Sequence, residues 1–182
     1  MIRWLMWLMG GIVLGGMVHL ATVLALPTTA TRDAYSRLAP MAAVNTVVPL
    51  PEPAPATALL PFTDPAFAAA VCRYDLTAAP LKLTAPVSQA YTSVSFYTRK
   101  GIAYYAINDR AAGRRVIELD LMTAEQHADM PEEEDVTAAD RLIVESPTPT
   151  GLIVLKALAA EPGQMPAARR TLAAARCRPQ PQ

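Results

Sequence analysis

The chain is poor in the residues that build catalytic and metal sites. It has two cysteines and two histidines in 182 residues. Of the histidines, His19 lies in an apolar run and His127 alone falls in the remainder. A multi-histidine metal site within one chain is therefore excluded, and a Ser-His-Asp arrangement has a single candidate base. No nucleophile-elbow motif accompanies it. Charge of one sign is missing too, because sixteen basic residues balance sixteen acidic ones. Without a global positive field there is no electrostatic footprint for a phosphate backbone, so no nucleic-acid role is expected. No internal repeat occurs at a period that implies a solenoid or propeller.

The most conspicuous feature present is the run Trp4–Leu26, which has no Asp, Glu, Lys or Arg and as a helix is long enough to cross a hydrocarbon core of about 30 Å. A cleavable signal peptide is the competing reading, since Arg3 gives a positive start and Thr28-Thr29-Ala30 is a usable cleavage site. Secretory apolar cores are shorter, about 7 to 15 residues, so an uncleaved single-pass helix over residues 1–30 is expected. Gly10, Gly11, Gly15 and Gly16 stud it. Gly11 and Gly15 form a G-x-x-x-G pair that lets two helix backbones approach, although glycine is also common in membrane helices generally. His19 shares nearly the same face and lies where a side chain can reach headgroups and water.

Arg3 on one side of the run and Arg32 and Arg37 on the other leave the positive-inside count nearly balanced. Cysteine usage breaks the tie. Cys72 and Cys177 are an even pair outside the membrane run, and such pairs persist as disulfides mainly in oxidising compartments. Two buried free thiols are the alternative. The expected topology has a cytoplasmic N-terminus and an exported remainder, which means the periplasm if the Ala, Pro and Arg content reflects a bacterial source.

Asp33–Leu38 suits a short helix, and Pro49, Pro51, Pro53, Pro55 and Pro61 follow. Alternating prolines favour an extended, stiff spacer, so residues 31–63 read as a short helix and a linker. The folded domain is expected over 64–182. Asp64-Pro65 resembles a helix start, with Asp as N-cap and Pro in the first turn, and a helix over 66–74 is predicted from it.

Beyond that point the period becomes two. In Tyr91–Thr98, Val94 and Phe96 fall on one face, and Tyr91, Ser93, Ser95 and Tyr97 on the other. Arg99-Lys100-Gly101 supplies a hairpin loop with glycine at the left-handed position, and residues 102–107 return as the partner strand. A loop over Asn108–Gly113 leads to a strand over 114–122, where Ile117, Leu119 and Leu121 alternate with Glu118 and Asp120. Residues 141–145 and 152–158 are further strands, joined by the turn-rich Ser146–Gly151 as a hairpin. With 81–85 this makes about six strands. Short connections imply antiparallel order. Residues 167–176 read as a helix that delivers Cys177. The expected class is α+β, a mainly antiparallel β domain with flanking helices, preceded by one transmembrane helix. A disulfide between Cys72 and Cys177 would tie the opening helix to the closing one.

Several segments together carry a resemblance: His19-Leu20 closing the glycine-studded run, Asp33-Ala34-Tyr35, Cys72–Leu76 leading to Ala79-Pro80, Tyr91–Tyr97, Tyr104–Arg110, and Ser146-Pro147-Thr148 before Gly151-Leu152. They resemble a family of small bacterial membrane proteins with a domain of unknown function, number 1254. Ala79 stands where larger relatives commonly have glycine. The resemblance implies an envelope protein working beside a related membrane protein, and it carries over no catalytic residue; with the topology above, the expected location is the bacterial inner membrane, single-pass, with the C-terminal domain in the periplasm.

Candidate chemistry is thin. His127 lies in a polar stretch that reads as a solvated connection, and Glu132–Asp135 lacks the spaced oxygen ligands of a calcium loop. No catalytic, cofactor or metal residue is assigned, and no cofactor is expected. Tyr91, Tyr97, Tyr104 and Tyr105 fall on facing strands of one hairpin, an arrangement suited either to cross-strand packing or to a shallow platform for a glycan or lipid headgroup. Two functions follow: a structural or protein-interaction role in the envelope, and a binding module using the tyrosines.

Overall fold

A computed structural model describes residues 1–29, 33–52, 60, 63–113, 115–130 and 142–180. It forms two compact units, Met1–Arg32 and Asp33–Gln182. The first is helix α1 (Ile2–Thr29), whose stretch Ile2–Leu26 is long and apolar enough to cross a membrane and has none of its apolar window buried. Signal sequences near an N-terminus share that character. Of the expected cleavage site, Ala30 lies outside the described residues.

The second unit is built on two sheets. The first has five strands, in the order β1 (Val47–Pro49), β2 (Phe67–Asp75), β8 (Thr150–Leu158), β4 (Thr92–Thr98) and β5 (Ala103–Asn108), all antiparallel. The second has four, in the order β7 (Leu142–Ser146), β6 (Val116–Thr123), β3 (Leu81–Pro86) and β9 (Arg176–Pro179). Short helices α2 (Ala34–Leu38), α3 (Asp109–Ala112), α4 (Ala124–Ala128) and α5 (Met165–Ala173) flank them. Inward residues of both sheets, among them Cys72, Tyr74 and Phe96 from one and Leu83, Leu119 and Leu121 from the other, form one core that α5 closes with Ala168 and Leu172. The α+β class stands.

The alternation read in Tyr91–Thr98 is present, with Val94 and Phe96 fully buried. Gly101 takes the left-handed turn, φ 78°.

Several expectations need correction. Residues 66–74 are not a helix. Asp64 does accept a backbone bond from Ala66 (2.9 Å), but the turn stops there and β2 begins at Phe67. Helix propensity is a weak prior, and β2 is ladder-bonded to β1 and β8 on both sides with Ala68, Ala70, Cys72 and Tyr74 alternating into the core. The described part of the expected linker is no free spacer either. Asp33 caps α2 through Ser36 N (2.7 Å), Leu38 and Ala42 are buried against Val71 and Leu152, and Val47–Pro49 pairs with β2. Pro49 is tolerated because it ends an edge strand. Pro53, Pro55 and Pro61 lie outside the described residues.

Among the strands of the described residues antiparallel order fails at one place, since β6 and β7 are parallel, Leu119 opposite Leu142. The segment between them is long enough for the crossover that a parallel pair requires. Ser146–Gly151 is therefore no hairpin; it carries the chain from the second sheet to the first. Asn108–Gly113 holds a helical turn, α3, capped by Asn108 on Ala111 N (2.9 Å) and ended by left-handed Gly113. The closing helix stops at Ala173, and Cys177 belongs to β9.

Candidate functional site

The cysteines come together as strand residues. Cys72 of β2 and Cys177 of β9 lie at disulfide-bonding distance, with Cα atoms 6.6 Å apart and a sequence separation of 105. The link joins the two sheets and not two helices, and both residues are buried.

The four tyrosines divide between the faces of the five-stranded sheet. Tyr91 and Tyr97 share the outer face: Tyr91 meets Phe67 edge-on at 6.4 Å, and Tyr97 packs with the group around Leu38. Tyr104 and Tyr105 both turn inward onto Phe96, at 6.2 and 5.8 Å between ring centroids. Two successive strand residues reach one face because the register slips at Phe96/Tyr97, where Phe96 opposes Tyr105 and Tyr97 opposes Ala103. The hairpin thus places its tyrosines at separate locations and not on one platform.

A buried hydroxyl chain forms where Tyr104 points. Its hydroxyl donates to Tyr74 Oη (3.1 Å), Tyr74 Oη is 2.9 Å from Ser146 Oγ and 3.3 Å from the Tyr97 carbonyl, and Ser146 Oγ donates to the Thr148 carbonyl (2.7 Å). A hydroxyl has one proton to give. With Ser146 donating to Thr148 and Tyr104 to Tyr74, the one Tyr74 proton has two acceptors, Ser146 Oγ and the Tyr97 carbonyl, and the chain crosses from one sheet to the other. Burial pushes the Tyr104 hydroxyl far above its ordinary value of 10.0; Ser146 opposes the shift and Tyr74 adds to it. Gly151, opposite Tyr74 in the ladder, makes room for the ring. Chemically the chain is a polar bolt: each of its hydroxyls has a hydrogen-bond partner inside the fold.

Sequence reasoning did not single out Tyr74, Ser146 or Gly151 for this role. A signal was present. Cys72–Leu76, Tyr104–Arg110 and Ser146-Pro147-Thr148 before Gly151, three of the segments that carry the family resemblance, meet at this one place.

His127 Nδ1 lies 2.6 Å from Glu145 Oε1 on β7. Its helix α4 is fixed by a capping box between Thr123 and Gln126, and Gln126 Nε2 donates to the Leu76 carbonyl (2.7 Å). Among the described residues no three His, Cys, Asp or Glu side chains gather as a metal site; Glu132–Asp135 lies outside them. Elsewhere, Asp75 is held below its ordinary value of 3.8 by the Thr77 hydroxyl (2.6 Å) and then the Thr77 N–H (2.9 Å). Arg99 lies over the Tyr35 ring, 4.9 Å from its centroid, pinning α2 to the β4–β5 loop. In α1, Gly11 and Gly15 both face open space.

Residues 44–179 match the model of a family described as "Protein of unknown function (DUF1254)". No curated protein matches the chain. Among solved structures it is similar to the VPA0106 protein from Vibrio parahaemolyticus, with TM-score 0.59 and 12% identity over 80% of this chain and 34% of that one. A putative uncharacterized protein from Burkholderia cenocepacia matches at TM-score 0.49 and 14% identity, over 75% of this chain and 34% of that one. The chain thus spans about a third of the length of either structure, and the first likeness shows the fold.

Proposed function

The chain belongs to the DUF1254 family of proteins of unknown function, and from that premise we propose that it is a single-pass envelope protein of the bacterial inner membrane whose periplasmic domain binds a membrane-protein partner. The observation that carries the reading is the combination of an apolar, membrane-length α1 with no buried window and a following domain whose two cysteines sit at bonding distance between its sheets. A cysteine pair of that kind favours an oxidising compartment, which directs the domain outward and the N-terminus toward the cytoplasm. A partner is supported by size: the Vibrio structure contains this fold as 34% of a longer chain. The glycan or lipid platform gains no support, because Tyr104 spends its hydroxyl inside the core and Tyr97 packs beneath α2.

Crosslinking in native membranes, followed by purification of the full chain, tests the reading. One membrane protein recovered in constant proportion is expected. Recovery without a second membrane protein removes the partner, and a soluble mature chain beginning near Thr31 removes the anchor.

A further inference from the structure

Outside α1, three large apolar side chains are exposed among the described residues: Met41, Val44 and Ile102. They fall at one end of the five-stranded sheet. Val44 bridges Arg73, and Arg73, Leu152, Tyr97 and Ala103 follow one another across β2, β8, β4 and β5. Met41 lies in the turn from α2 to Val44, its N–H bonded to the Leu38 carbonyl (3.0 Å), and Ile102 closes the β4–β5 turn through its carbonyl, which accepts from Thr98 N (2.9 Å). The same turn presents Arg99 and Lys100, both exposed, and Arg37 of α2 adds a third exposed cation. Asp33 and Asp75 also belong to this end, and both carboxylates are engaged within the fold: Asp33 caps α2 and Asp75 accepts from Thr77.

The covalent chain brings this end to the bilayer. The apolar stretch of α1 closes at Leu26 and the helix at Thr29, and Asp33, the cap of α2, stands four positions further on. Three helical steps and four extended ones reach at most about 20 Å, so α2 starts close to the headgroups whichever way the domain turns. α2 is in turn fixed to the patch, since Arg99 lies over the Tyr35 ring and Leu38 is buried against Val71 and Leu152.

We propose that this end of the domain docks on the surface of the bilayer that holds α1, with Met41, Val44 and Ile102 entering the interface and Arg37, Arg99 and Lys100 meeting anionic lipid headgroups. The proposal rests on the anchor reading and goes beyond it, and it makes no use of Tyr91, Tyr97, Tyr104 or Tyr105 as contacts. Apolar side chains beside cations suit an anionic bilayer in particular: the apolar area enters the headgroup boundary while each Lys or Arg gains from the surface potential. A protein or soluble ligand has to be recruited to this end, whereas lipid is already present at an effective concentration set by a tether of about 20 Å.

The full chain in vesicles of phosphatidylglycerol and phosphatidylcholine, part of the lipid carrying a doxyl quencher, gives the test. Ala103→Cys, beside Ile102, and Gly163→Cys, in the turn Pro162–Gln164 beyond the opposite end of the sheet where Phe67 meets Leu158, each take an environment-sensitive fluorophore. The native cysteines are buried and do not compete. Strong lipid quenching at position 103 and little at position 163 is expected. Lys100→Glu should lower the ratio of docked to undocked domain about tenfold, Lys100→Arg should keep it, and vesicles of phosphatidylcholine alone should act as Lys100→Glu does. Quenching at position 103 no greater than at 163, or indifferent to lipid charge and to Lys100→Glu, overturns the proposal; a probe at position 103 that stays in water would leave this end to a protein partner. Carbonate extraction of the same vesicles separates the two readings. A chain that stays with the lipid but shows an unquenched probe loses the docking and keeps the anchor, and a chain that is washed off loses both.

Discussion

Gly151→Ala is the sharpest perturbation available in the domain. Gly151 lies on β8, the middle strand of its sheet, opposite Tyr74 on one side and Thr98 on the other. A Cβ built there meets the Tyr97 carbonyl oxygen and the Oη and Cζ of Tyr74, all nearer than a real Cβ approaches anything. Neither neighbour yields cheaply: the Tyr97 oxygen is backbone of the adjacent strand, and Tyr74 is fully buried with its hydroxyl in the chain to Tyr104 and Ser146. Overpacking a core costs about 1–3 kcal/mol, and a buried polar group stripped of its hydrogen bond costs roughly another 1–3 kcal/mol. The expected loss is about 2–6 kcal/mol, a large part of the typical 5–15 kcal/mol of a whole domain. It should appear as a fall of roughly 5–15 °C in Tm. Urea and thermal unfolding of a soluble fragment beginning at Asp33, followed by near-ultraviolet tyrosine dichroism, measures it. Gly163→Ala is the control, since a Cβ there has nothing within 4 Å, and it should be neutral. A Gly151→Ala domain within about 0.5 kcal/mol of wild type would refute the steric argument.

Replacing both cysteines by alanine, or reducing the folded domain in urea, should lower stability by up to about 4.7 kcal/mol for a loop near this size; a urea midpoint indifferent to reductant would count against a bond. Tyr104, its hydroxyl pushed above 10.0 by burial, ties stability to alkaline pH. Because the folded state resists ionisation, that stability is complete below 10.0 and drains away as pH rises further. Tyr104→Phe should flatten the dependence in unfolding curves taken above pH 10.0, and an unchanged slope would mean that another group is responsible. Asp75 is depressed below 3.8, so its contribution is present above that value and disappears as pH falls through the lower folded value. Thr77→Val should raise the Asp75 titration midpoint seen by carboxyl-detected NMR, and no rise would show that the hydroxyl is not the main cause.

The sequence was most readable where alternation was uninterrupted. Val94 and Phe96 in β4, and Ile117, Leu119 and Leu121 in β6, are buried as their period implies, because each of these strands lies between two others and one face meets the core. It misled where local and long-range signals disagree. Phe67–Asp75 is rich in alanine behind an Asp-Pro turn, a helical pattern locally, yet its two ladder partners begin at Val47 and Thr150. No window around residue 70 contains that information. The same holds for Cys177, which extends an Ala- and Arg-rich helix in sequence but pairs opposite Leu83 in space. Tyr104 and Tyr105 mislead for a different reason, since a one-residue register slip turns both rings inward and periodicity alone cannot place a bulge. The hydroxyl chain was visible only as fragments, because Tyr74, Tyr104 and Ser146 come from three separate strands.

The position of β8 governs when the domain can assemble. Thr150–Leu158 lies between β2 and β4, both of which precede it by many residues, so neither has its inner neighbour until β8 arrives. Until then β2 can join only the short β1, and β4 can close only its local turn with β5. A two-stranded ribbon is marginal in water. Most of the pairing energy is thus deferred to a single late insertion between strands distant in sequence, the kind of topology associated with slow folding. Any synthesis or transport that delivers the chain from its N-terminus leaves β2 and β4 half-paired until β8 emerges, and their open edges are exposed to mispairing for that interval.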